Sequence, residues 1–355
     1  YREDQKLDTT LLGTNAMALL AITEFIAATN AKMMMNDDNN NNGNNNNNVG
    51  GNSIDYYIRI ATKLADYMAA CQNKNDGTFF HKINYYDDRT MEVDEDYYVP
   101  YYPGVAVYAL SRFYHVVETL DDNNDAGGDI VQEQKDEWFQ SALMAIRLVL
   151  DEDENIYDED FQEDTWLLYG MVELMPYYYL TEEAAAEQEE EDYDNRNYRD
   201  FNDYNYYDEN RSRRRHHHHH HHDINFEERV VEYAMRSATV IANYQQTEPT
   251  NDDSTKRDIE HVDVLLDWVG TYDESGSTLN VATKSEALCA MYEMSVDEER
   301  EESDMIFAAL LDGIRYQLKT QFQPELVMYL LSTQKTLGSF RFSLDDWDHV
   351  RSEFV

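Results

Sequence analysis

What this chain lacks narrows it first. Cys71 and Cys289 are its two cysteines in 355 residues, too few for a disulfide scaffold. Both fall on the apolar side of expected helices and read as buried free thiols. Five prolines leave long stretches without a helix breaker. Basic residues are scarce, with 28 Lys and Arg against 72 Asp and Glu, for a formal net charge of −44. A surface of that sign repels nucleic-acid phosphates and anionic headgroups, so neither nucleic acid nor a membrane is an expected partner. No run reaches the roughly 18 uncharged apolar residues that a membrane span needs.

Motifs are missing too. Gly-x-Ser-x-Gly, His-Glu-x-x-His and zinc-type cysteine spacings do not occur, and Gly127-Gly128 lies in an acidic linker rather than a phosphate loop. Serine hydrolases, zinc proteases and nucleotide enzymes are disfavoured, and no cofactor or metal is implied. The chain opens Tyr1-Arg2-Glu3-Asp4, without Met or a signal peptide, and reads as a segment of a longer protein. Its compartment is not legible.

What is present is helix. Leu11–Ala28 is apolar almost all the way round, whereas Ile54–Cys71 carries a stripe. Ile54, Tyr57, Ile58, Ala61, Leu64, Ala65, Met68 and Cys71 step at three and four residues, and Arg59, Lys63 and Asp66 take the other face. A helix apolar on every side must be buried, and a striped one covers it. The alternation recurs in Tyr102–Val117 with Glu137–Leu150, Asp164–Tyr177 with Phe226–Tyr244, and Ala282–Met294 with Asp304–Leu318. These pairs predict an all-α fold, an inner ring of helices wrapped by an outer one, as a single domain over residues 1–355. Glu325–Leu331 is expected to add a helical turn.

Two low-complexity insertions interrupt the pattern. Residues 36–52 are an Asn/Asp/Gly run. Residues 181–223 hold an acidic block, a Tyr/Asn/Asp stretch, an Arg-rich run and the histidines His216–His222. Neither can build a core, so both are expected to be disordered surface loops. The histidine run reads as a repeat expansion rather than a metal site. Segments entering the inner helices, Asp76–His81, Tyr97–Gly104 and Trp268–Asp273, carry Gly, aromatics and charge. In a ring of hairpins they meet at one end, where a binding site is expected.

Leu12-Gly13-Thr14-Asn15-Ala16-Met17-Ala18-Leu19-Leu20-Ala21 resembles the opening inner helix of the (α/α) toroid proteins of the six-hairpin glycosidase-like group. Tyr101–Leu110, Glu163–Tyr169 and Lys284–Leu288 are similar to later helices of such proteins. Gly338–Ser343 resembles the short extended segment that precedes a final helix there. The resemblance spans most of Leu11–Val355 outside the insertions. It implies a toroid, partial with only four hairpins, whose central cleft binds or acts on carbohydrate. A non-catalytic scaffold that holds a polysaccharide or a protein partner is the alternative.

Glycoside chemistry needs two carboxyls, one protonated and one ionised. The best-placed are Glu163, Asp164, Asp273 and Glu286, at or near the starts of inner helices. Glu286 is the most pointed, in an otherwise apolar helix, with a structural hydrogen bond as its competing use. Asp164 competes as a helix cap and Asp273 as a turn residue. Sugar rings stack on aromatic planes, which selects Tyr101, Tyr102, Trp166 and Tyr272 at the expected rim. His81 joins them beside Phe80. Arg341 is placed to reach a carboxylate, of a uronic acid or of Glu286, with a structural salt bridge as the alternative use.

Overall fold

The computed structural model describes residues 6–37, 51–86, 90–122, 130–153, 164–178, 220–247, 269–272, 276–297, 300–322, 324, 338–343 and 350–351. Contacts group the chain into two compact units, residues 1–160 with 169–230, and residues 161–168 with 231–355. Both are dominated by helix, as the absence of breakers requires.

The first unit opens with β1 (Lys6–Leu11), followed by α1 (Leu12–Asp37) and α2 (Gly51–Ala70). Then come β2 (Lys82–Tyr86), β3 (Met91–Val93), α3 (Tyr102–Asp122) and α4 (Gln132–Asp153). Helix α5 covers residues 165–178, and most of it belongs here. Helix α6 (His220–Tyr244) begins in this unit and ends in the second.

Helices α1, α3 and α5 run parallel, side by side. Gly13 at the start of α1 lies against the ring of Tyr102 at the start of α3, and about three turns further on Glu24 pairs with Arg112. Likewise Gly170 of α5 lies against Val107 and Tyr108, and Glu173 reaches Arg112. Helices α2 and α4 cover this row. Trp138 of α4, fully buried, packs 5.0 Å from Phe113 of α3 and donates from Nε1 to Asp66 of α2 at 2.9 Å. Burying each such aromatic contributes about 1.5–3 kcal/mol, and the indole hydrogen bond fixes the register of three helices at once.

A three-stranded antiparallel sheet, order β1-β2-β3, ties the start of α1 to the segment that enters α3. Thr9 opposes Asn84, and Ile83 opposes Val93. The helical periodicities do not announce it, although Thr9, Thr10, Ile83, Tyr85 and Tyr86 are residue types that favour strands.

In the second unit α7 (Thr278–Asp297) and α8 (Ser303–Thr320) form a hairpin. Gly313 lets α8 close onto Ser285 of α7, and Tyr316 donates to the Gly276 carbonyl at 2.6 Å. β4 (Phe340–Arg341) pairs antiparallel with β5 (Val350–Arg351). The segment Gly338–Ser343 is therefore partly extended as expected, with a strand rather than a helix at Val350.

Several expectations change. Cys71 is buried, but Cys289 is exposed, because it sits on the open face of α7. Residues 36–37 and 51–52 belong to α1 and α2, while 38–50, 181–219 and Glu325–Leu331 lie outside the described residues. His220–His222 are helical, the first turn of α6. Nor is α1 buried on all sides. Met17 and Phe25 are exposed, along with Ala18, Ala21 and Ala28, because only two of its flanks are covered. Leu12–Lys32 has the length and mean hydropathy, 1.4, to cross a membrane once Glu24 is tolerated. In this fold it packs on α2 and α3.

Candidate functional site

Helix α3 is buried at nearly every position. The side chains that reach its open face are Tyr108, Arg112, His115 and Thr119, spaced four, three and four residues apart. That spacing keeps them in one stripe. Covering helices occupy the other sides, so this stripe meets the matching stripes of α1 and α5.

Charge gathers where the three helices meet. Arg112 Nε donates to Glu24 Oε1 at 2.7 Å, and its Nη1 donates to Glu173 Oε1 at 3.3 Å. His115 Nδ1 lies 2.8 Å from Glu173 Oε2. A proton on Nδ1 donating to that carboxylate leaves Nε2 as the acceptor nitrogen. Burial works to raise the pKa of Glu173, but the His115 hydrogen bond and the Arg112 charge outweigh it. The carboxyl is held below its ordinary value. The hydrogen bond from Arg112 to Glu24 raises the guanidinium's pKa further, so it stays charged. Glu173 is thus ionised at neutral pH, and with two glutamates around one guanidinium the cluster is formally net acidic.

Aromatic rings flank this network. Tyr108 and Tyr169 lie with centroids 5.1 Å apart, and Tyr177 sits edge-on to His115 at 5.6 Å. Both Tyr108 and Tyr169 are half-buried, so part of each ring faces outward.

About two turns towards the start of α3 are three residues that the sequence selects. His81, Tyr101 and Tyr102 do come together. Tyr102 is buried and Tyr101, 54% exposed, stands edge-on to it at 5.3 Å. His81 is buried and stacks on Tyr98 at 4.9 Å. Its Nδ1 accepts from the Val99 N–H at 2.9 Å, and burial lowers its pKa, so it is a neutral, structurally engaged imidazole. Burial, then the hydrogen bond with Tyr97, pushes the Tyr102 phenol up to about 12. Lys82 bridges to Asp94 at 2.6 Å and lies over the Tyr97 ring.

The remaining candidates belong to the second unit. Asp164 Oδ1 accepts from the N–H groups of Trp166 and Leu167 at 3.0 and 3.2 Å, which makes it the N-cap of α5. Trp166 is half-buried in the first turn it caps. Tyr272 receives a hydrogen bond from Gln245 Nε2 at 3.0 Å, and burial raises its pKa. Lys284 Nζ stands 5.8 Å from its ring centre. Glu286 is on the exposed face of α7, yet neighbouring atoms desolvate its carboxyl enough to raise its pKa. Arg341 is buried and donates to the Lys319 and Thr320 carbonyls at 2.7 and 3.5 Å, closing the C-terminus of α8. Glu163 and Asp273 lie outside the described residues.

The charged network escapes a search confined to helix starts. Its signal is nonetheless in the sequence. Glu24 is the single charged residue from Leu12 to Ala31, Arg112 the single Lys, Arg, Asp or Glu from Tyr102 to Val117, and Glu173 the single one from Thr165 to Tyr178. Lone charges at similar depth in three apolar helices require mutual pairing. Among the described residues no group of three or more His, Cys, Asp and Glu is placed to hold a metal ion. No protein-family model matches this chain, and neither a curated protein nor a solved structure matches it.

Proposed function

We propose that the helical hairpins of this chain are those of an (α/α) toroid, and that the open face of α1, α3 and α5 binds a neutral glycan. One observation carries the reading. The stripe Tyr108, Arg112, His115 of α3 meets Glu24, Tyr169 and Glu173 on the one face that α2 and α4 leave open. Tyrosine planes offer stacking surfaces for sugar C–H faces, and ionised carboxylates accept strong hydrogen bonds from hydroxyls. A net acidic cluster in a chain of charge −44 repels phosphate, sulfate and uronate, which leaves uncharged sugars.

Binding is favoured over hydrolysis at this face. Hydrolysis needs one protonated carboxyl, and His115 and Arg112 hold the Glu173 carboxyl below its ordinary value. Acid catalysis by Glu286, with Asp164 as its partner, is the second reading. It is favoured by the raised pKa of Glu286, while Asp164 already spends one oxygen on the α5 cap.

A screen of neutral oligosaccharides for binding and turnover separates the two, using wild type, Glu173→Gln and Glu286→Gln. The expected result is binding without turnover, weakened by Glu173→Gln and unchanged by Glu286→Gln. Turnover that disappears only in Glu286→Gln assigns the function to α7 instead.

A further inference from the structure

Three turns of this chain repeat one hydrogen-bond pattern, and each follows the end of a covering helix, α2, α6 or α8. First in each stands a glutamine whose Nε2 donates to a glycine carbonyl. The pairs are Gln72 to Gly77 at 3.0 Å, Gln245 to Gly270 at 3.4 Å and Gln321 to Gly338 at 3.2 Å. The next N–H, of Asn73, Gln246 or Phe322, donates to the carbonyl after that glycine, of Thr78, Thr271 or Ser339, at 2.8 Å each time. Each glycine N–H then donates back to Asn73, Gln246 or Phe322, at 2.9, 2.9 and 3.0 Å. All three glycines have positive φ, +83°, +100° and +84°.

The first two turns seat the next covering helix. Gln72 Nε2 also donates to the Ser141 carbonyl of α4 at 2.8 Å, and the Met144 carbonyl lies 2.8 Å from where a Gly77 Cβ would be. Gln245 Nε2 donates to the Ala309 carbonyl of α8 at 2.8 Å, and the Asp312 carbonyl covers Gly270. The helix thus offers carbonyls three residues apart in both cases. At the third turn, no described residue lies within 4 Å of the Gly338 Cβ position.

The flanks of the helices agree with the turns. Counted back from their glutamines, Ile58, Ala65 and Ala69 of α2 correspond to Val231, Ala238 and Ala242 of α6, and all six are buried. Their counterparts in α8 are Phe307, Ile314 and Leu318, exposed by 42%, 40% and 56%. The opposite flank is reversed. Ile306, Ala309, Gly313 and Tyr316 of α8 are buried, whereas Tyr57, Ile60, Leu64 and Tyr67 of α2 are only half-buried. Helix α8 therefore exposes the flank that α2 buries, and α2 partly exposes the flank that α8 buries.

We propose that α8 and the turn residues Gln321, Phe322, Gly338 and Ser339 form an interface for α2 of a second copy of this chain, joined head to tail. The same count places the Ile60 carbonyl of the second copy at Gln321 and its Lys63 carbonyl over Gly338. The contact is heterologous, so an open assembly keeps one unused flank at each end and can add further copies. Nearest-neighbour stacking of repeats supplies the driving force, as it does between repeats within one chain. The charge of −44 opposes the approach of two copies, so added salt strengthens the association.

Sedimentation velocity of the full chain over a wide concentration range tests this. Wild type is expected to form concentration-dependent oligomers, promoted by salt, whereas Leu318→Glu and Leu64→Glu are each monomeric. An equimolar mixture of the two variants forms a dimer and nothing larger, because each retains one intact flank. Circular dichroism confirms that each variant keeps its helix content. If Leu64→Glu loses helix, Lys63→Trp on the same flank takes its place. A wild type that stays monomeric throughout, oligomers that survive Leu318→Glu, or a mixture that stays monomeric overturns the interface.

Discussion

At the scale of single residues, the network around Arg112 is held by competition between burial and charge. Burial alone would favour a protonated Glu173, but a guanidinium and an imidazole in contact reverse the preference. A carboxyl with a depressed folded pKa adds stability that is fully present above its unfolded value. That stability is lost as pH falls through the folded value. Thermal denaturation from about pH 5 down to about pH 3 should therefore show a decline that is shallower in Glu173→Gln than in wild type. An identical decline in both would show that Arg112 and His115 do not hold the carboxylate. The same competition explains which residues were legible beforehand. Tyr101 and Tyr102 were selectable because they are adjacent at a helix entrance, and His81 joins them through its hydrogen bond with Val99. Glu24, Arg112 and Glu173 are far apart in the chain, and only the parallel packing of three helices makes them neighbours. For Asp164, the competing cap role was already written in its position before Thr165.

At the scale of elements, the helices were legible because their burial pattern follows the 3.6-residue period. Helix α2 buries Ile54, Ile58, Ala61, Ala65 and Met68 and exposes Arg59 and Lys63, as the stripe requires, whereas Tyr57 and Leu64 are only half-buried and Asp66 is drawn in by the Trp138 indole. The strands were not, because β2 and β3 are short, half-exposed and without clear alternation. The repeated turns were hidden for a different reason. The span from glutamine to glycine varies with the intervening loop, so only the hydrogen bonds reveal the equivalence. These turns make a comparative prediction. A side chain at Gly270 or Gly338 must adopt positive φ, at a cost of about 1–3 kcal/mol in either place. Only at Gly270 does the new Cβ also meet a backbone carbonyl, that of Asp312. Urea denaturation should thus show Gly270→Ala to be more destabilised than Gly338→Ala. Equal losses would mean that α8 is not seated on the Gly270 turn.

At the scale of the whole molecule, composition sets the limits and the helices set the surfaces. Strong acidity disfavours polyanionic partners, and the scarcity of prolines permits long helices. Helices α2 and α4 cover α1 and α3, so the face they leave open is the one on which function can be written. On α1 that face is mostly apolar, with Met17, Phe25 and three alanines beside Glu24, and on α3 and α5 it is tyrosine, histidine and paired charge. Calorimetric titration of the chain with a neutral oligosaccharide tests the claim about this face most directly, with Tyr108→Ala as the comparison. The stacking surface of one tyrosine is worth about 1 kcal/mol. The account predicts affinity about fivefold weaker in Tyr108→Ala, with helix content unchanged. Equal affinity in Tyr108→Ala and wild type, or no neutral sugar bound by either, would contradict it.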